Sequence, residues 1–319
     1  MPTAETTRRV FDNLDFLRGV EVFLNFIPAA SLEAIRLGPT EIGATKSNQA
    51  IIFDQLMDSN PLFLTGNTDT VYAMVILDLE TDGPTVVEVP PGSGPGTVND
   101  ALFRFVIDMG APGPDKGQGG KYLIVPPGYA GELPKEKKDG GAYYVARAPS
   151  YVNWLILRGF LVDGKPDTAS KMFREGVKVY PLAKADNPPA MEFFNGSKLP
   201  FNTVHANNFE FYEELDHVIQ EPLDFIDPEL RGLAASISIR KGTPFAPDER
   251  MKQTLTEAVA VGNATARAMS FRNREPRNAI YPDSQWRTRS AAWITSGLML
   301  VGWVGATSMP ARPSITATP

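Results

Sequence analysis

The 319-residue chain contains no cysteine. That removes disulfides, thiolate nucleophiles and thiolate-bound zinc together, and it leaves the redox compartment open. Histidine is scarce as well. Only His205 and His217 occur, so a zinc centre built on imidazoles would need both, and no metal or other cofactor is expected beyond carboxylate-bound calcium or magnesium. No apolar run reaches the roughly eighteen residues of a membrane span. The nearest, Ile294 to Val304, is broken by Thr295, Ser296 and glycines. At the start, Asp12 and Asp15 interrupt Val10, Phe11, Leu14 and Leu17. No signal-peptide core develops, and the chain as written is expected to be soluble and cytoplasmic. Clustered basic charge is also missing. With a net charge of −6, the chain lacks the Lys and Arg excess that neutralises phosphates, so no nucleic-acid partner is expected.

What is present is ordinary for a globular chain: 43% hydrophobic and 21% charged residues, and enough length to bury a sizeable core. The expected class is α+β. An N-terminal helical segment (1–50) carries apolar residues at Val10, Phe11, Leu14, Leu17, Val20 and Leu24, with Pro28 placed to end or kink the helix. A β-rich, mostly antiparallel domain (51–165) follows, with runs such as Val71–Leu79, Thr85–Val89, Leu102–Ile107, Lys121–Val125, Ala142–Ala146 and Asn153–Leu157. The stretches from Pro90 to Gly96 and from Gly110 to Gly120 read as turns or mobile loops. A helical bridge (166–286) comes next, with a helix capped at Asp167 or Thr168, another over about Asn207–Ile219, and a third opening at Pro247. The stripe of that third helix is Met251, Leu255, Ala258, Val259, Gly262, Ala266 and Met269, whose small residues point to close packing. Residues 287–319 have no helix or strand period.

Two glycine-rich stretches fail as chemistry. Gly113–Lys121 lacks the first Gly and the final Ser or Thr of a phosphate loop, and reads as a hairpin-like connection with Lys121 on the surface. Ser93, flanked directly by glycines, does not match a nucleophile elbow and is set aside. The segment from Thr65 to Tyr72 is different, because polar side chains cluster just before a very apolar strand. Asn67, Asp69, Thr70 and Tyr72 could line a pocket mouth, with Asp69 as base or cation ligand, Tyr72 as acid and Asn67 as an orienting amide. An Asx-type turn that satisfies its own backbone is the competing reading. A second cluster, Asn202 to Glu210, sets His205 and Asn207 at a helix start, where a neutral imidazole could act as base and Asn207 could bind ligand. A capped helix start with a partly buried histidine is the simpler reading, because Asn side chains cap helices routinely. His217, and the acid pairs Glu213–Glu214 and Asp248–Glu249, read as solvated surface.

Three stretches of the chain together resemble a known family. Gly66-Asn-Thr-Asp-Thr-Val-Tyr-Ala, Gly119-Gly-Lys-Tyr-Leu-Ile-Val-Pro-Pro-Gly-Tyr and Tyr281-Pro-Asp-Ser-Gln-Trp286 are similar to the bacterial domain of unknown function 1254, usually followed by its partner domain, 1214. The resemblance covers about Phe11 to Trp286. It implies a helical N-terminal portion, a β-rich domain, a helical bridge and then a jelly-roll-like domain, in proteins many of which are exported. It assigns no catalytic residue. After Trp286 too little chain remains for a jelly-roll. Residues 287–319 read as a frameshifted or disordered tail, since the shifted frame from Trp293 can encode Asp-Tyr-Glu-Trp-Leu, like the family's continuation. The expected function is a small-molecule or glycan-binding, envelope-associated β domain of unknown oligomeric state. A hydrolase of small organic or glycan substrates, with Asp69 or His205 as base, and a structural scaffold are the alternatives.

Overall fold

The computed structural model describes residues 1–64, 66–222 and 226–271. The motif at Tyr281–Trp286 and the tail at 287–319 lie outside these residues. The chain divides into two compact units, Leu32–Thr203 and the described part of Met1–Ser31 with Val204–Pro319.

The first element, α1 (Ala4–Leu37), runs straight through the position where the sequence suggested a stop. Pro28 removes one backbone hydrogen bond, yet Ala29–Ile35 are all buried, and that burial outweighs the lost bond. The apolar stripe of the helix is also not the one its sequence advertises. Val10, Phe11 and Leu17 are exposed, whereas Val22, Phe23, Phe26 and Ile27 are buried, together with Asp15 and Gly19.

In the unit Leu32–Thr203, ten strands form among the described residues. They begin with β1 (Gln49–Ile52) and β2 (Thr70–Asp78), after which a short α2 (Leu79–Asp82) is capped by Asp78. There follow β3 (Thr85–Val89), β4 (Pro95–Asn99), β5 (Phe105–Gly110), β6 (Gly120–Val125), β7 (Tyr143–Arg147) and β8 (Val152–Phe160). Helix α3 (Asp167–Gly176) then precedes β9 (Lys178–Pro181) and β10 (Glu192–Asn195). Six strands form one sheet in the order β10-β1-β2-β8-β4-β5, and four form another in the order β7-β6-β3-β9. Pairing is antiparallel except for β1 with β10 and β6 with β7.

The two sheets share one core. Ala50, Ile52, Val71, Ala73, Val75 and Leu77 of the six-stranded sheet pack with Val87, Val89, Tyr122 and Ile124 of the other, joined by Ala169 and Phe173 from α3. Because side chains alternate along a strand, Ile51, Tyr72, Met74, Ile76, Trp154 and Ile156 lie on the opposite face of the larger sheet. The second face of the smaller sheet has its own cluster of Val86, Leu123, Val125 and Tyr180.

Several expectations change here. β4 occupies part of the stretch read as turns. Its glycine is what permits the strand, since a Cβ on Gly96 would lie 2.4 Å from the Leu157 side chain on β8. Gly110–Gly120 is not a hairpin, for it carries the chain from one sheet to the other. It is also well tied down: Asp115 is buried, accepts the Tyr122 hydroxyl hydrogen bond and takes the Gly119 N–H at 3.1 Å. Burial first, and that carboxylate second, push the Tyr122 hydroxyl pKa well above its usual range. Strands β9 and β10 stand in the segment read as helical. Helix α3 begins after Pro166 with no side-chain cap from Asp167 or Thr168.

The second unit is helical. Helices α4 (Glu210–Ile219), α5 (Pro228–Ser236) and α6 (Glu249–Phe271) join the first part of α1. Asp248 starts α6 by accepting the Met251 N–H at 2.8 Å. The predicted stripe on α6 is buried at Leu255, Ala258, Val259, Gly262 and Ala266, while Met251 is half-buried and Met269 exposed. It packs on α1 through glycines: a Cβ on Gly19 would lie 2.8 Å from the Ala258 Cβ, and one on Gly262 would lie 2.6 Å from the Phe23 ring. Arg250 joins the same pair of helices by bonding Asp12 at 2.9 Å and Asp15 at 3.0 Å.

Candidate functional site

The segment before β2 folds around Asn67. Its side-chain oxygen accepts the Asp69 N–H at 2.9 Å, the Thr70 N–H at 3.1 Å and the Thr70 hydroxyl at 3.1 Å. Three donors on one oxygen hold the chain in an Asx turn and launch the strand. Tyr72 is fully buried, and its hydroxyl oxygen accepts the Asn67 N–H at 2.9 Å. Phe53 and Phe63 lie around its ring, and the Arg158 guanidinium stands over it at 5.7 Å. Asp69 points to solvent as an exposed residue. The structure therefore brings Asn67, Thr70 and Tyr72 together as mutual partners, with Asp69 on the outside of the turn. A phenol with no exposed surface is poorly placed to hand a proton to a ligand.

His205 belongs to the helical unit and is only 2% exposed. Its ring meets Phe23 and Phe211 edge-on, with centroids 6.1 and 5.8 Å away. Nδ1 lies 2.8 Å from the Ala206 carbonyl oxygen, which can only accept, so the neutral ring carries its proton on Nδ1. Burial lowers the imidazole pKa to about 4, and the bond to Ala206 opposes that only in part. The ring is neutral at pH 7, as a base must be, but it sits inside an aromatic cage. Asn207 reaches back to the His205 carbonyl oxygen at 3.5 Å. Glu214, read from the sequence as a solvated acid, is buried, and both its oxygens accept the Ala206 N–H, at 3.0 and 3.2 Å. The local sequence gave no sign of this, because the backbone donor lies before the helix and the acid a full turn inside it. Asn208 and not Asn207 satisfies the helix start, accepting the Glu210 N–H at 3.0 Å.

A cavity of about 580 Å³ lies within the β-rich unit. Its apolar wall consists of Ile51, Met74, Ile76 and Val152 from the outer face of the larger sheet, with Val179 and Pro181 from β9. Lys46, Ser47, Asn48 and Thr40 from the segment between α1 and β1, Asp78 and Asp82 around α2, and Lys184 after β9 complete it. Arg36 lies at the wall with its guanidinium already held by Glu33, Nε donating at 2.7 Å. Gln49 organises the rim, since its side-chain oxygen accepts the Thr45 and Lys46 N–H groups at 2.7 and 2.9 Å. Asp78 is occupied in the same way: one oxygen accepts the Glu80 and Thr81 N–H groups, and the other accepts the Thr81 hydroxyl at 2.7 Å. None of Asn67, Asp69, Thr70, Tyr72, His205 or Asn207 lines this cavity.

Sequence reasoning missed the cavity because its walls come from residues 36–49, 74–82, 152 and 179–189, none of which forms a local motif. Also missed is a buried polar pair on the same sheet face. Asn99 on β4 stands directly across from Trp154 on β8. Both side-chain polar atoms of Asn99, and the Trp154 indole nitrogen, lack a hydrogen-bond partner among the described residues. Also among the described residues, no three His, Asp or Glu side chains converge as metal ligands would.

Comparison with known proteins adds a family and a fold. Residues 47–181 match the family described as "Protein of unknown function (DUF1254)". No curated protein matches the chain. The chain is similar in fold to the crystal structure of the VPA0106 protein from Vibrio parahaemolyticus, with 15% identity and a TM-score of 0.54 over 89% of this chain and 68% of that one.

Proposed function

We propose, from the premise that residues 47–181 carry a DUF1254 domain, that the β-rich unit binds a small organic molecule in the cavity walled by Ile51, Met74, Ile76 and Val152. One observation carries this reading. The cavity combines about 580 Å³ of volume with an apolar wall and a rim of fixed polar groups, which is the usual size and composition of a small-molecule site. The sheet gives it a rigid floor, since Ile51 and Met74, both at its wall, are paired neighbours in adjoining strands. The signature segment supports the same sheet from its other end, where the Asn67 turn starts β2.

A hydrolase using Asp69 or His205 has less behind it. Asp69 lies at a turn on the surface and His205 is enclosed by phenylalanines in the helical unit. No nucleic-acid partner and no membrane span are proposed; no described helix is long and apolar enough to cross a membrane.

The test is a fragment screen, including carbohydrate fragments, on the purified chain by ligand-observed NMR, repeated on Ile76→Trp. Ile76 is half-buried at the wall, so a larger side chain there occupies the cavity with little disturbance of the core. Saturable hits that vanish in Ile76→Trp are expected. Hits that persist in the variant place binding elsewhere and overturn the proposal, as does a screen with no hit. Turnover of any hit that Asp69→Asn or His205→Asn abolishes would establish the hydrolase instead.

A further inference from the structure

We infer that the ligand of this cavity is an amphipathic organic anion, with its apolar body against Ile51, Met74 and Ile76 and its charged head between Lys46 and Lys184; the inference rests on the cavity reading above. Both lysines line the cavity and are exposed. Among the described residues, neither has a carboxylate partner. That sets them apart from Arg36, the other cation at the cavity wall, whose guanidinium is held by Glu33.

The acids at the wall do not cancel the two lysines. Asp78 is held by two backbone N–H groups and a hydroxyl at the start of α2, so both its oxygens are already engaged as acceptors. Asp82 remains, leaving two lysines against one open carboxylate. A neutral ligand would leave both ammonium groups to solvent and gain nothing from them, whereas a carboxylate, sulfonate or phosphate head would meet them at the mouth while water is displaced from the apolar wall. The volume equals that of about twenty water molecules in the liquid. A chain or ring system of moderate length fits, and a polymer does not.

The experiment compares octanoate with octan-1-ol, which share a tail and differ in charge, by isothermal titration against the wild-type chain. The same titrations are run on the double variant Lys46→Gln with Lys184→Gln, and on two cavity-filling variants, Ile76→Trp and Val152→Phe. Octanoate should bind at least about tenfold more tightly than the alcohol. Each lysine removed should cost about fivefold, the scale of an exposed ion pair, so the double variant should treat the two probes nearly alike. Raising the salt concentration should weaken octanoate and spare the alcohol. Equal affinities, or a double variant indistinguishable from wild type, would overturn the anion inference while leaving the cavity reading intact, provided that the filling variants abolish binding of both probes. Binding that survives both filling variants would overturn the cavity reading together with the inference. Absence of octanoate binding would overturn the inference alone, because neutral fragments test the cavity separately.

Discussion

At the scale of single residues, the signature segment is organised by its amide rather than by its acid. Asn67 accepts three hydrogen bonds on one oxygen, so Asn67→Ala should cost about 1–2 kcal/mol, the usual price of losing a turn-fixing side chain. Asp69→Ala, at an exposed position, should stay within about 0.5 kcal/mol of wild type. Urea denaturation of the two variants distinguishes them, and the reverse order would return Asp69 to the centre of the segment. The sequence made the cluster legible, since polar residues before an apolar strand stand out in any reading. It could not show that Asn67 would be taken up by its own neighbours, because an amide suits a turn and a ligand equally well. Asn99 presents the opposite case. A lone asparagine at the end of a strand attracts no notice in a sequence, yet its buried side chain finds no partner among the described residues. Unpaired burial of this kind costs about 1–3 kcal/mol, so Asn99→Leu, which keeps the shape, should leave stability unchanged or raise it by about 1 kcal/mol. A loss above about 2 kcal/mol in the same denaturation assay would mean that the amide is satisfied in solution.

At the scale of elements, the strands most easily read were those with short runs of β-branched, aromatic and aliphatic residues. Thr85–Val89 is found as written, and β8 emerges from Asn153–Leu157 with extensions at each end. β4 was hidden because Pro95 and Gly96 carry the composition of a turn, while the role of Gly96 is to let Leu157 of β8 come close. The long first helix was legible as a helix but not in its orientation. Its buried stripe includes Asp15, tied to Arg250, and Gly19, packed on α6, and hydropathy counts neither as core. That packing leads to a prediction at the same scale. Gly262→Ala would gain about 1 kcal/mol in helix propensity, but its Cβ would meet the Phe23 ring at 2.6 Å, and Phe23 is fully buried against Phe211. Overpacking of that kind costs about 1–3 kcal/mol. A net loss of stability is expected, read as a lower thermal midpoint. A raised midpoint would show that α1 and α6 have room to separate.

For the whole molecule, the division into two units means that a single unfolding free energy need not describe the chain. Acid offers a way to address one unit selectively. His205, in the helical unit, has its folded pKa lowered to about 4 by burial, against about 6.5 for an unfolded histidine. The unfolded chain therefore takes up a proton that the folded unit refuses. The stabilising contribution is complete above about pH 6.5, falls through the interval down to about 4, and is constant below it. Its full size is about 3 kcal/mol, with a slope approaching 1.4 kcal/mol per pH unit inside the interval. Hydrogen exchange, read peptide by peptide at pH 7 and pH 5, should show α4 and α6 losing protection well before β2 and β8. His205→Asn keeps a donor for the Ala206 carbonyl and does not titrate, so it should be less stable than wild type at pH 7 yet flatter between pH 6.5 and 4. A variant with the same acid slope as wild type would overturn the assignment of that slope to His205.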